Sequence, residues 1–156
     1  MEKLKGTVRR PKVAEAGKIQ ALINYYAKKD EMLPRALNDI YETIRDFYIY
    51  EENGEVLACC ALHVDWEDLA EIRSLAVAEG HRDRGIGKCL VKACIDDAKE
   101  LGIQKVFALT YSPKYFEKFG FCGISKEDLP RKIWSDCIKC HKFPDCDENA
   151  VMIDLS

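Results

Sequence analysis

Residues 70–91 read AEIRSLAVAEGHRDRGIGKCLV, and the fold turns on how this stretch is read. Glu71 to Ala78 alternates polar and apolar residues and then becomes wholly apolar, as a strand does on entering the centre of a sheet. Gly80 ends it. From Gly85 to Leu101 the spacing is helical, with Leu90, Cys94, Ala98 and Leu101 on one face, and Gly102 stands where a helix C-terminal glycine belongs. Between strand and helix lies His81-Arg82-Asp83-Arg84-Gly85-Ile86-Gly87-Lys88. Two glycines one residue apart let the backbone come close to a ligand, the helix start leaves N–H groups unpaired, and Arg82, Arg84 and Lys88 add positive charge. A pyrophosphate suits that segment; a glycine-rich turn with a solvated basic flank is the plainer alternative. The dinucleotide-binding fingerprint would need a third glycine and an acidic residue ~20 positions on, and the P-loop would need Gly-Lys-Ser/Thr, so both are excluded.

Working outward, Gly6 to Arg10 makes a short first strand. From Ala14 onward Ile19, Leu22, Ile23 and Tyr26 recur at helical spacing, and after Leu33-Pro34 the residues Leu37, Ile40, Tyr41 and Ile44 predict a second helix of about two to three turns. FYIYEE, Asn53-Gly54 and EVLACCALHVD form a hairpin, because Asn-Gly tolerates the positive φ of a type I′ turn. KVFALT (Lys105 to Thr110) is a strand, Pro113 to Phe119 a short helix behind its proline, and AVMIDL a last strand. The order β-α-α-β-β-β-α-β-α-β predicts an α/β domain of mixed α+β character.

With 156 residues the chain is one domain's worth, read as a single domain over 1–156 with a cysteine-rich insertion at about 134–147. A composition of 47% hydrophobic and 33% charged residues, with only 5 Pro and 9 Gly, excludes disorder and fibrous repeats. Lys+Arg total 24 against 27 for Asp+Glu, and a net charge of −3 offers no global attraction to nucleic acid or an anionic membrane. No apolar run approaches the ~18 residues that span a bilayer. MEKLKGTVRR holds no signal-peptide core, so a cytoplasmic protein is expected.

The eight cysteines are then read as reduced thiols. Cys59, Cys60, Cys89 and Cys94 sit in apolar strand or helix settings and are expected in the core. Cys137, Cys140 and Cys146 form C-x2-C-H-x4-C, a spacing able to hold a structural zinc with His141 or Cys122 as fourth ligand; a loop of reduced thiols is the alternative.

Arg82-Asp83-Arg84-Gly85-Ile86-Gly87 fits the Gln/Arg-x-x-Gly-x-Gly/Ala motif, and YFEKFGF (Tyr115 to Phe121) resembles a second, downstream signature. On these residues the chain resembles the GNAT superfamily of acetyl-CoA-dependent N-acetyltransferases over roughly residues 7 to 155. The resemblance implies the acyl-CoA N-acyltransferase fold, a central, mostly antiparallel sheet flanked by helices. It further implies that the amides of Leu75, Ala76 and Val77 hold the thioester carbonyl, that the segment Arg82 to Lys88, including Asp83 and Ile86, holds the pyrophosphate, and that Glu71 is the base. Glu71 has a surface carboxylate at a strand start as its alternative reading. The family's tyrosine acid has Phe116 at its usual position here; Tyr115 is one place earlier, about 100° round a helix. A thiol with a pKa near ~8.5 also leaves readily without an acid. The resemblance also implies pairing of two copies, which the apolar hairpin invites.

MLPRALNDIYETIRDFYIYEENGEVLACCAL, AEIRSLAV and LTYSPKYFEKFGF, followed by Leu129-Pro130, are similar to the acetyltransferase domain of N-acetylglutamate synthases. A small-molecule amine, L-glutamate, is then the expected acceptor, in the first step of arginine biosynthesis, by a short form lacking the kinase-like domain. Two carboxylates ask for two cations, preferably guanidinium. Arg73, on the strand face of Glu71, is the first candidate; Arg35 and Lys114 are the others, each with a solvated surface cation as the alternative. Another amine, such as a protein N-terminus or a different amino acid, is the second reading. A non-catalytic acetyl-CoA sensor, favoured by Phe116 alone, is the third.

Overall fold

The computed structural model describes residues 4–125, 127, 129 and 149–156. Its elements are β1 (Thr7–Arg9), α1 (Ala16–Ala27), α2 (Leu37–Glu42), β2 (Phe47–Glu52), β3 (Glu55–Trp66), β4 (Leu69–Val77), α3 (Ile86–Leu101), β5 (Lys105–Thr110), α4 (Pro113–Glu117), β6 (Cys122–Ile124) and β7 (Asn149–Asp154). Among the described residues the strands form one seven-stranded sheet in the order β1-β2-β3-β4-β5-β7-β6. Neighbours are antiparallel except β4 and β5, which are parallel. The central strand β3 is buried without interruption from Leu57 to Leu62 because both faces are covered. Ala58, Cys60 and Leu62 pack with Leu90, Val91 and Cys94 of α3, while Cys59 and Ala61 pack with Ile19 and Ile23 of α1 and Ile40 of α2.

Local chemistry accounts for the turns. Asn53 and Gly54 both have positive φ, 53° and 78°, as the predicted hairpin turn requires. At the end of α3, Gly102 is left-handed, its N–H donates to the Lys99 carbonyl at 3.1 Å and that of Ile103 to Ala98 at 2.9 Å. This pair of bonds is the Schellman arrangement. It carries Ile103 into the core, while Leu101, expected on the buried face, is 58% exposed. The second helix is shorter than its periodicity predicts and passes into a 3-10 turn over Ile44–Asp46. The Thr43 hydroxyl donates to the Asp39 carbonyl at 2.8 Å, and this side-chain bond competes with the helical ladder. β6, three residues with a glycine at its centre, carries no periodic signal.

Candidate active site

Strands β4 and β5 pair only at Leu69 with Lys105, Ala70 with Val106 and Glu71 with Phe107. Beyond Glu71 they diverge and open a cleft of about 1410 Å³, walled by β4, the segment 31–35, the loop after β4, the start of α3, and α4. On its other edge β4 carries a bulge. Residues 59 and 61 of β3 face residues 76 and 73 of β4, so β4 holds one residue more, and Ser74 takes φ +60°. Positive φ at a non-glycine residue is strained. The conformation is clamped from two sides, by Arg35 Nη1 donating to Ser74 Oγ at 3.1 Å and by the Cys59 thiol donating to the Ser74 carbonyl at 3.3 Å.

Glu71 and Arg73 lie before the bulge and leave β4 on one face, both lining the cleft. Arg73 Nε and Nη2 each lie 3.1 Å from Glu71 Oε1. Burial pushes the Glu71 carboxyl up to about 7; the Arg73 charge opposes the rise, and the Asp65 carboxylate adds to it. Two further residues join this floor. His63, opposite Glu71 on β3, has Nδ1 2.8 Å from Asp46 Oδ2 and Nε2 3.9 Å from Oδ1 of buried Asp65. Sequence reasoning missed His63 and Asp46: no motif holds them, and only the register of the β3–β4 pair brings His63 to Glu71.

At the far end of β4 the Ala78 N–H donates to the Leu57 carbonyl at 2.7 Å. Strand groups alternate, so Ala76 also turns toward β3, where its N–H faces the Cys59 thiol, and Val77 turns to the cleft. Tyr26 from α1 donates its hydroxyl to the Val77 carbonyl on that side. Of the three amides expected at the thioester, that of Ala76 therefore faces away.

The loop that follows combines Gly80, Asp83 and Gly85, all at positive φ. The first helical bond of α3 runs from the Cys89 N–H to the Gly85 carbonyl at 3.2 Å, which leaves the N–H groups of Ile86, Gly87 and Lys88 ahead of the ladder. These residues, with Arg82, Asp83 and Gly85, line the cleft. A Cβ added at Gly85 would meet nothing within 4 Å, so the cradle is open to a ligand. Arg82 lies over the Tyr26 ring, 5.5 Å from its centroid. Arg84 does not line the cleft: its guanidinium meets Glu52 on β2 at 2.8 and 3.1 Å and His81 at 2.9 Å, tying the loop to the sheet and holding the Glu52 carboxyl down to about 2. These free amides and flanking cations fit the pyrophosphate of a coenzyme A thioester.

Tyr115 lines the cleft, and its hydroxyl packs so closely on Gly87 that any Cβ there would collide with it. Burial pushes its hydroxyl up to about 12, with the Cys60 and Cys89 thiols adding to the rise. Phe116 is turned into the core against Phe121. The 100° offset thus brings Tyr115, rather than Phe116, to the first turn of α3, where the glycine loop ends. Arg35 also lines the cleft, its guanidinium donating to Asp39 at 2.7 Å, Thr43 at 3.0 Å and Ser74. Lys114 is exposed and outside the cleft, where Lys118 stands instead. Cys137, Cys140 and Cys146 lie outside the described residues. Among those described, no group of three His, Cys, Asp or Glu side chains could hold a metal, and no helix is long and apolar enough to cross a membrane.

Residues 15–121 match the model of the Acetyltransferase (GNAT) family, and the chain belongs to that family. Its sheet with flanking helices is the α/β GNAT fold. The chain is 41% identical over 145 residues to an uncharacterized N-acetyltransferase of Chlorobaculum tepidum, covering 93% of this chain and 94% of that one. It is 32% identical over 137 residues to an amino-acid acetyltransferase of Mycobacterium tuberculosis, covering 86% and 78%. A solved M. tuberculosis structure with CoA superposes with a TM-score of 0.82 at 28% identity, covering 96% of this chain and 99% of that chain. The N-acetylglutamate synthase of Neisseria gonorrhoeae, complexed with coenzyme A and N-acetyl-glutamate, superposes at 0.87 and 26% identity, covering 99% of this chain and 36% of that one. This chain is an acetyl-CoA-dependent N-acetyltransferase, which sets aside the sensor reading.

Proposed function

We propose that the protein acetylates the α-amine of an amino acid, L-glutamate, the first step of arginine biosynthesis. The observation that carries this reading is the pairing of Glu71 and Arg73 on one face of β4 inside the cleft. The name of the M. tuberculosis relative and the N-acetyl-glutamate in the N. gonorrhoeae complex support it.

Bound acetyl-CoA supplies an activated acetyl thioester. An ammonium cannot attack it, so Glu71 takes a proton from the incoming amine, a task suited to a carboxyl poised near neutrality. The Val77 N–H, on the cleft side of β4, donates to the oxygen on which charge develops. Arg73 reaches a carboxylate of the acceptor while one of its edges stays on Glu71. Tyr115, kept protonated by burial, has a proton for the departing sulfur.

The engagement of Arg35 by Asp39, Thr43 and Ser74, and the position of Lys114, favour an acceptor with fewer carboxylates as the second reading. A screen of the twenty amino acids for acetyl-CoA-dependent thiol release separates the two. Glutamate is expected to lead and glutamine to be poorer, because a neutral amide leaves a cation unpaired. Equal turnover of the two would select the second reading.

A further inference from the structure

Acetylating an ammonium removes two protons from its nitrogen while the carbon–sulfur bond breaks and the carbon–nitrogen bond forms. One proton ends on the CoA sulfur; the other has to reach solvent. A carboxylate holds one proton at a time, so a base at Glu71 must be emptied in every turnover. Its surroundings hinder that, since its side chain is 13% exposed and Arg73 grips Oε1.

His63 is placed to empty it. In the β3–β4 register it stands directly opposite Glu71, and such partners carry their Cβ atoms about 4.5–5.5 Å apart on one face. Both line the cleft, but the His63 side chain is 31% exposed. The charged groups near its ring are Asp46 from the 3-10 turn, Asp65 on β3 and, opposite it on β4, Glu71, which Arg73 holds through Oε1. Asp46 fixes the ring through Nδ1, and imidazole is the side chain that takes and releases protons near neutral pH.

We propose that His63, oriented by Asp46, receives the proton that Glu71 takes from the amine and passes it to water at the mouth of the cleft. The proton leaves the Glu71 carboxyl for the ring and then for solvent, and no further reactant is needed. His63 is a positioning and relay residue acting through Glu71, and the proposal rests on the base assignment made above.

The test compares the parent with His63→Asn, Asp46→Asn and Glu71→Gln at low buffer concentration, with and without added imidazole, on acetyl-CoA and the best amino acid from the screen. His63→Asn should lower kcat about tenfold or more and leave both KM values within about threefold. Imidazole should restore its kcat saturably, and Asp46→Asn should show a smaller loss with the same rescue. A purely structural role for His63 gives no rescue. A His63→Asn kcat within about twofold of the parent, or a loss that imidazole does not repair, overturns the relay. If His63→Asn does not fold, an Asp46→Asn enzyme insensitive to imidazole overturns it equally. Glu71→Gln separates the two ideas: parental kcat in that variant overturns the base assignment, whereas a slow Glu71→Gln beside a normal His63→Asn overturns the relay alone.

Discussion

At Glu71, burial and the Asp65 carboxylate raise the carboxyl while Arg73 holds it down, and the balance lies at about 7. The proposed base would work ionised, so kcat should fall as pH drops through about 7, and Glu71→Gln should flatten that limb along with the rate. The same shift bears on stability. A folded-state pKa above the unfolded value near ~4.3 favours the native state only while the group is protonated. That contribution is full below the unfolded pKa and disappears as pH rises through the folded one. Between about pH 5 and pH 8 the parent should therefore lose on the order of 2 kcal/mol relative to Glu71→Gln, read by urea unfolding at both pH values. Arg73→Ala should raise the glutamate KM about tenfold or more, since a charge-assisted hydrogen bond is worth about 1.5–3 kcal/mol. It should also move the acid limb to higher pH, because it removes the charge that lowers Glu71. Unchanged acid limb and KM in Arg73→Ala would count against the pair.

Two elements meet at the phosphate loop, where α3 begins and α4 lays Tyr115 across it. Gly87 has neither open space nor positive φ; it is glycine because a side chain there would occupy the place of the Tyr115 hydroxyl. Gly87→Ala should displace α4 and weaken CoA binding about tenfold, and Gly87→Ala with Tyr115→Phe should recover part of it by removing the colliding oxygen. Isothermal titration with CoA measures both. Parental CoA affinity in Gly87→Ala would show that the contact does not govern the loop.

Across the whole molecule the phosphate loop is held by a residue from another hairpin. Arg84 and Glu52 are 14% and 12% exposed in their side chains, with Tyr50 donating to the same Glu52 carboxylate at 2.8 Å. The pair joins the loop after β4 to β2, two strands away in the sheet. Arg84→Met leaves that carboxylate without its cation and should lower both the thermal midpoint and CoA affinity. Adding Glu52→Gln should recover the midpoint more than the affinity, since the unpaired charge is gone but the tie is not restored. Melting curves with and without CoA separate the two effects.

The elements that the sequence by itself determined are those whose causes are local: the Asn53-Gly54 turn, the Gly102 stop and the strand–loop–helix run from Glu71 to Leu101 follow from backbone freedom and short-range periodicity. The family was legible for the same reason, its motifs being contiguous. The alternation that put Arg73 on the face of Glu71 was legible too, because no bulge intervenes before Ser74. Tertiary structure alone decided where the remaining charges went. Arg84 finds a partner 32 residues away and Arg35 is consumed by Asp39, Thr43 and Ser74, because burying a guanidinium demands hydrogen bonds that no local pattern announces. His63 reaches Glu71 through strand register, and Tyr115 reaches Gly87 because α4 docks with Phe116 in the core. Register and docking minimise the energy of the whole sheet and its two faces, so they are properties of the assembled fold and of no single stretch of chain.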